Sequence, residues 1–422
     1  FIFYQSVISI HKIKLDSVLT LVIYYSRIPL EKDRATIKEH IQCFQKHLPG
    51  KVIQLNYVNG QPKFLTKFQF NLIIIHYSFL ALKYSDPNML ISYGEKIKNL
   101  NGFKIAFPQD EYINSTYLNS FLKTTKVNQL YTLFYDKFDK EYVYPLEKTG
   151  ISNIFTVLPG YVNRENLKPE NKIKPFDIRE IDLGYRARKN PFWLGEFSLR
   201  KWQIADFFMS IKNHDFIFDI STRVEDTKLG KSWHEFIENC KFFLAVEGGA
   251  SLLDPEGLTR KKVEEHIKLK PKSTFEDISK TYFLGKSKIK YYQLTPRIFE
   301  AISRKTCLIL MEGYYNGLLI PNEHYILLKS DYSNIDEVLE KMKDQELAKK
   351  MIDKSYNDFV LNDKYSYKSF VNFVFDQVKD EISDTSEDSK ILSFYLFLFS
   401  ITINLKLKII FFWRKLKKFI ND

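Results

Sequence analysis

Runs of consecutive apolar residues, long enough for one strand each, recur through the first half of the chain at 18–25, 52–57, 72–77, 103–107, 129–134 and 153–157. Segments apolar on both faces suit parallel strands covered on each side by helices. Helix-like stretches such as 35–46 and 115–123 lie between them, and this alternation predicts an α/β domain around a parallel sheet. After Leu158-Pro159-Gly160 the pattern fails across 163–175, which is rich in Lys, Asn, Glu and Pro and reads as a linker. The pattern then resumes, with strands predicted at 181–185, 216–220, 242–246, 307–311 and 325–328, and helices at 198–211, 233–239, 260–269, 296–303, 335–342 and 346–359. Two α/β domains, 16–162 and 176–375, are therefore expected, which also suits a chain of 422 residues, too long for one core.

Beyond 375 the composition changes. The acidic stretch 380–388 reads as a solvated hinge. Residues 389–422 then carry seven basic side chains against one acid, half of the formal +12 charge, threaded among Phe, Trp and Leu. The apolar run 391–405 is shorter than the roughly 20 residues a spanning helix needs, and Lys406 and Lys408 interrupt its continuation. Residues 391–418 are accordingly predicted to lie on an anionic membrane surface as an amphipathic anchor, the alternatives being a true transmembrane helix or a segment packed on the protein itself. Nucleic acid is not an expected partner, because this tail accounts for much of the charge and no zinc finger or aromatic-basic module occurs. Cys43, Cys240 and Cys307 are too few and too dispersed for a disulfide framework or a zinc site, which favours folding in the cytosol. Phe1 in place of Met suggests a truncation or fragment, and the apolar start 1–10 lacks the basic residues and cleavage site expected of a secretion signal.

The most informative stretch for chemistry is Thr295-Pro296-Arg297-Ile298-Phe299-Glu300-Ala301-Ile302. Proline at a first helical turn loses no hydrogen bond, so Pro296 marks a helix start with Arg297 and Glu300 close behind. Such a start beside a sheet crevice suits a nucleotide diphosphate, with a cation for phosphate and a carboxylate for ribose hydroxyls. Other blocks stand in order around it: Arg34-Ala35-Thr36-Ile37, Phe107-Pro108-Gln109-Asp110-Glu111-Tyr112, Gly184-Tyr185-Arg186-Ala187-Arg188 and Glu247-Gly248-Gly249-Ala250-Ser251. Taken as a series across about residues 16 to 375, they resemble GT-B glycosyltransferases of bacterial surface-polysaccharide synthesis. The resemblance implies an α/β, GT-B-like fold: two Rossmann-like, doubly wound parallel-sheet domains facing a cleft, plus the C-terminal tail. It also implies a nucleotide-sugar donor held by the second domain, with Arg297 and Glu300 on its diphosphate and ribose, and a glycan or lipid-linked acceptor held by the first. Many retaining members carry a second Glu eight positions before the ribose Glu; here Tyr292 stands there, which leaves the stereochemical outcome open.

The chemistry of such a transfer singles out further residues. A diphosphate leaving group needs cations, backbone N–H groups or a metal. No Asp-x-Asp occurs in the chain, so no metal or other cofactor is expected, and Arg186 and Arg188 join Arg297 as candidate phosphate ligands. The alternative for Arg186 and Arg188 is a surface ion pair or a strand cap. Glu247, Gly248 and Gly249 follow an apolar strand, where glycine lets backbone approach a ligand and Glu247 reaches sugar hydroxyls, or else they form a plain tight turn. Asp110 is the preferred general base and Glu111 the second choice; both equally suit capping of a following helix. His76, at the end of an apolar strand, is a third candidate base or an orienting donor. Arg34 would bind an acidic acceptor or lipid phosphate, or be a solvated surface charge. A nucleotide-sugar epimerase of the same fold and a non-catalytic glycan-binding or partner-binding protein are the competing functions. No Gly-x-Ser-x-Gly elbow supports hydrolase chemistry.

Overall fold

The computed structural model describes residues 17–212 and 215–382, together with 391, 392, 395, 398, 401, 405, 409, 412 and 413. All six strands expected in the first half form one parallel sheet: β1 Leu19–Tyr24, β2 Lys51–Asn56, β3 Gln69–Ile75, β4 Asn101–Ala106, β5 Gln129–Thr132 and β6 Asn153–Thr156, in the order β2-β1-β3-β4-β5-β6. The central strands β1 and β3 are buried almost throughout, as expected when helices cover both faces.

The second half builds another parallel sheet from β7 Ile181–Arg186, β8 Phe218–Ser221, β9 Cys240–Ala245, β12 Cys307–Met311 and β13 Tyr325–Leu328, ordered β13-β12-β9-β7-β8. In both sheets the first strand lies between the second and the third, so each has a switch point where the winding direction reverses. Ligands of open α/β sheets bind at such points, beyond the strand C-termini. Two doubly wound sheets of this kind make the architecture GT-B-like.

Two features were not legible in the hydrophobic pattern. Between β9 and β12 the chain leaves the second sheet as an antiparallel pair, β10 Gly248–Leu252 with β11 Lys288–Gln293, which encloses the helices Leu258–Leu269 and Phe275–Tyr282. This excursion joins the first lobe: Asp254 N donates to Tyr112 O at 2.8 Å, Asn114 N to Asp254 O at 2.9 Å, and Gln293 Nε2 to Leu133 O at 2.5 Å. Its apolar residues Ala250, Leu253, Val263, Ile278, Ile289 and Tyr291 merge with the first lobe's core. The second feature is the helix Tyr367–Val378, capped by Ser366, which returns to the first lobe and lays Phe370 against His40 and Phe44. The expected helix 346–359 is also divided, into the α-helix Gln345–Ser355 and a π-helical turn Tyr356–Leu361.

Most of the predicted tail, including Lys406, Lys408 and 414–418, lies outside the described residues, as do 1–16 and 383–390. Of the described tail residues, Leu392 is buried and Tyr395 contacts Phe64 at 5.4 Å between ring centroids. Ile391, Leu398, Ile401, Leu405, Ile409, Phe412 and Trp413 are exposed. Among the described residues no helix is long and apolar enough to cross a membrane.

Candidate active site between the lobes

At the second switch point β7 ends in Arg186, β9 runs into Glu247-Gly248, and the helix Pro296–Ile302 begins beside both. Arg297 Nη1 donates to Arg186 O at 2.7 Å, and its guanidinium lies 5.8 Å from the centre of the Trp233 ring. Trp233 Nε1 donates to Glu300 Oε2 at 2.8 Å. One indole thus contacts both partners of the Arg297/Glu300 pair and fixes them on the same helical turn. Burial raises the Glu300 carboxyl above its ordinary range, opposed by the indole hydrogen bond and the Arg297 and Arg304 charges.

The most telling cation here is one that motif reading did not single out. Lys201 opens the helix Arg200–Ser210, where the helix dipole disfavours a cation. Its ammonium group reaches the glycine turn: a side chain built on Gly248 would lie 3.5 Å from Lys201 Nζ and 2.8 Å from Thr295 Cγ2. Burial and the charge of Arg297 lower the Lys201 pKa to about 8, against the pull of Asp110 across the cleft. The Thr295 hydroxyl beside it is buried without a hydrogen-bond partner among the described residues. The sequence signal was the Arg200-Lys201 pair in the first turn of a helix already expected at 198–211, where anions are the usual occupants.

The remaining donor-side candidates divide. Arg186, expected on phosphate, is committed elsewhere: Nη2 meets Asp219 Oδ1 at 2.6 Å, Nη1 donates to the carbonyls of Tyr185 and Asp219, and Phe236 covers the guanidinium at 4.3 Å. Its charge is thus balanced at the β7–β8 edge, which is the ion-pair alternative. Arg188 is exposed beyond the strand end. Glu247, expected to reach sugar hydroxyls, is only 6% exposed and instead accepts from Tyr315 N at 2.7 Å. Burial raises its pKa. The bond to Tyr315 ties Glu247 to the turn after β12, where Tyr315 and Asn316 take left-handed φ values of 47° and 55°. Gly249 has φ 131° and pairs with Tyr292, while Tyr292 stacks on Phe197 at 3.7 Å between centroids.

On the first lobe, adjacent residues point in opposite directions. Asp110 is exposed, within electrostatic reach of Lys201, and held at φ 50°. Glu111, expected beside it as a second base, is 0% exposed and turned into the core. There it accepts from the Thr132 hydroxyl, from Tyr144 OH at 2.6 Å and from Leu133 N at 3.0 Å. Three donors converging on one carboxylate stitch the β4 turn to the end of β5. Glu111→Gln, which turns an amide N–H₂ toward one of those donors, is expected to lower unfolding free energy by about 1–3 kcal/mol in urea titration.

His76 is likewise fully buried; Nδ1 accepts from Ser78 N at 3.0 Å and caps the short helix that follows, and Nε2 has no hydrogen-bond partner among the described residues. Burial, then the neighbouring His40, holds its pKa well below the ordinary imidazole range. Its place between His40 and Tyr77, fully buried, is a packing position, not a cleft position. Arg34 is exposed at the start of the helix Ala35–His47, with no side-chain cap bond.

No family model and no curated protein matches the chain. Solved structures similar to it include TarM, at 14% identity, over 74% of this chain and 56% of that one, with a TM-score of 0.42. This chain therefore spans little more than half of TarM. An alpha-glucosyltransferase in complex with UDP-glucose and DNA containing an abasic site gives 10% identity, 85% and 99% coverage and a TM-score of 0.46. Sucrose-phosphate synthase from Thermosynechococcus elongatus gives 12% identity, 86% and 98% coverage and a TM-score of 0.45. Likenesses this distant carry no argument about activity, and the architecture rests on the strand orders above.

Proposed function

We propose that the protein transfers a sugar from a nucleotide-sugar donor to a glycan or lipid-linked acceptor, without a metal ion, as one step of surface-polysaccharide synthesis. The observation that carries this reading is the convergence of Lys201, Arg297 and Glu300 at the second sheet's switch point, with Asp110 facing them from the other lobe. In this reading Lys201 and Arg297 neutralise the diphosphate as the glycosidic bond breaks, and Glu300 accepts from ribose hydroxyls. Asp110 takes the proton from the acceptor hydroxyl as that oxygen bonds to the anomeric carbon. In this reading the excursion Gly248–Gln293, packed on the first lobe beside the glycine turn, limits water that would otherwise consume the donor. The exposed apolar residues of the tail support attachment to the cytoplasmic face of a membrane.

The test is a calorimetric titration with UDP, GDP, TDP and CMP. One nucleotide is expected to bind, and Glu300→Ala to weaken it about ten-fold or more, the value of a hydrogen bond to a charged group. Failure of every nucleotide to bind the folded protein would remove the donor assignment. Turnover with membrane extract as acceptor source separates transfer from epimerisation, which would yield an isomerised donor without any acceptor.

A further inference from the structure

Lys83 lies in the short helix Leu82–Ser85 of the first lobe and is 0% exposed. A lysine in such a place is costly unless its ammonium is satisfied. Nζ donates to two successive carbonyls, Gln109 O at 3.0 Å and Asp110 O at 2.8 Å. Burial lowers its pKa to about 8, while the charges of Asp110 and Glu111 act to raise it. The helix is locked to the same turn from its other side, since Asn114 Nδ2 donates to Lys83 O at 2.7 Å.

Asp110 needs such holding. Its φ of 50° is a left-handed conformation that costs a non-glycine residue about 1 kcal/mol or more. Three side chains secure its peptide groups. Lys83 and Tyr84, at 2.9 Å, donate to its carbonyl from the first lobe, and Tyr291 OH accepts from its N–H at 3.0 Å from the excursion. Glu111, one residue on, is fastened inside the core. With the carbonyl drawn inward and the next side chain buried, the Asp110 carboxylate is left facing out. An uncharged donor could satisfy one carbonyl; the ammonium group spans two and adds a positive charge behind the carboxylate. The ionisable groups around this turn are Asp110, Glu111, Tyr84, Tyr112 and Tyr291, with Lys201 facing it from the second lobe.

We propose that Lys83 is a positioning residue: by clamping the carbonyls of Gln109 and Asp110 it holds the Asp110 turn in the left-handed conformation that presents its carboxylate to the acceptor. This inference rests on the transfer reading and assigns that reaction a residue with no contact to either substrate.

Lys83→Met, close in volume and unable to donate, is expected to lower kcat ten-fold or more while the Kd of the nucleotide stays within two-fold. In the Asp110→Asn background the same substitution should cost nothing further, since the two residues act as one unit. Unchanged kcat in folded Lys83→Met, or equal loss of kcat and nucleotide affinity, or effects that multiply in the double variant, would each overturn the proposal. If Lys83→Met does not fold, Tyr84→Phe decides. That variant removes only a hydroxyl from the same carbonyl: a kcat reduced about three-fold or more with nucleotide affinity kept supports the clamp, and an unchanged kcat sinks it. A wild-type protein that binds no nucleotide would instead fail the transfer reading, and the two failures are therefore separable.

Discussion

Gly249→Ala is expected to destabilise the protein by about 3–6 kcal/mol, combining an unfavourable backbone conformation with overpacking of a closed site. Its φ of 131° is one that side-chain-bearing residues rarely adopt, and a Cβ there would stand 1.7 Å from the carbonyl oxygen of Tyr291. That oxygen belongs to the paired strand β11, so relief requires the β10–β11 pair to open. The same pair carries Tyr291, which holds the Asp110 peptide. Urea unfolding should therefore show a lower midpoint, and any folded fraction should have lost turnover more than nucleotide binding. Gly150→Ala is the control: φ there is 74°, but open space surrounds the added methyl, so only the backbone penalty of about 1 kcal/mol remains. Equal midpoints for the two variants would show that contact with Tyr291 O does not matter.

Lys201→Met is expected to weaken binding of the nucleoside diphosphate 10- to 100-fold, the worth of about 1.5–3 kcal/mol for a charge-assisted hydrogen bond. The wild-type affinity should carry a signature of this group. With a pKa of about 8 in the free protein, the ammonium is charged below that value and attracts the diphosphate. As pH rises through 8 toward 9 the charge is lost and affinity falls; bound anion, favouring the charged form, raises the pKa in the complex. Titration calorimetry at pH 7, 8 and 9 should show this decline in wild type and a flat profile in Lys201→Met. A decline of the same size in the variant would place the titrating group elsewhere.

The two lobes are coupled more closely than a single linker would allow. The linker predicted at 163–175 is only one connection. The excursion between β9 and β12 and the helix Tyr367–Val378 both leave the second half of the chain and end in the first lobe's core. Gly248, the first residue of the excursion, and Thr295, just after its last, sit where the chain passes from one lobe to the other. Any relative movement of the lobes is therefore felt at Lys201, which packs against Gly248.

The eleven apolar strands and most of the helices were readable from the sequence, because burial on both faces imposes an uninterrupted apolar run and capping chemistry is local. So was the pairing of Arg297 with Glu300, since one helical turn fixes their separation. What tertiary structure alone decided is direction and distant pairing. Asp110 and Glu111 are neighbours of like chemistry, yet one faces solvent and the other the core, and the difference is set by Thr132, Leu133, Tyr144 and Lys83 from other elements. Arg186 met Asp219 from a strand 33 residues later, and β10 met β11 across two intervening helices. Such contacts depend on which segments the folded chain brings together, and no local period records them.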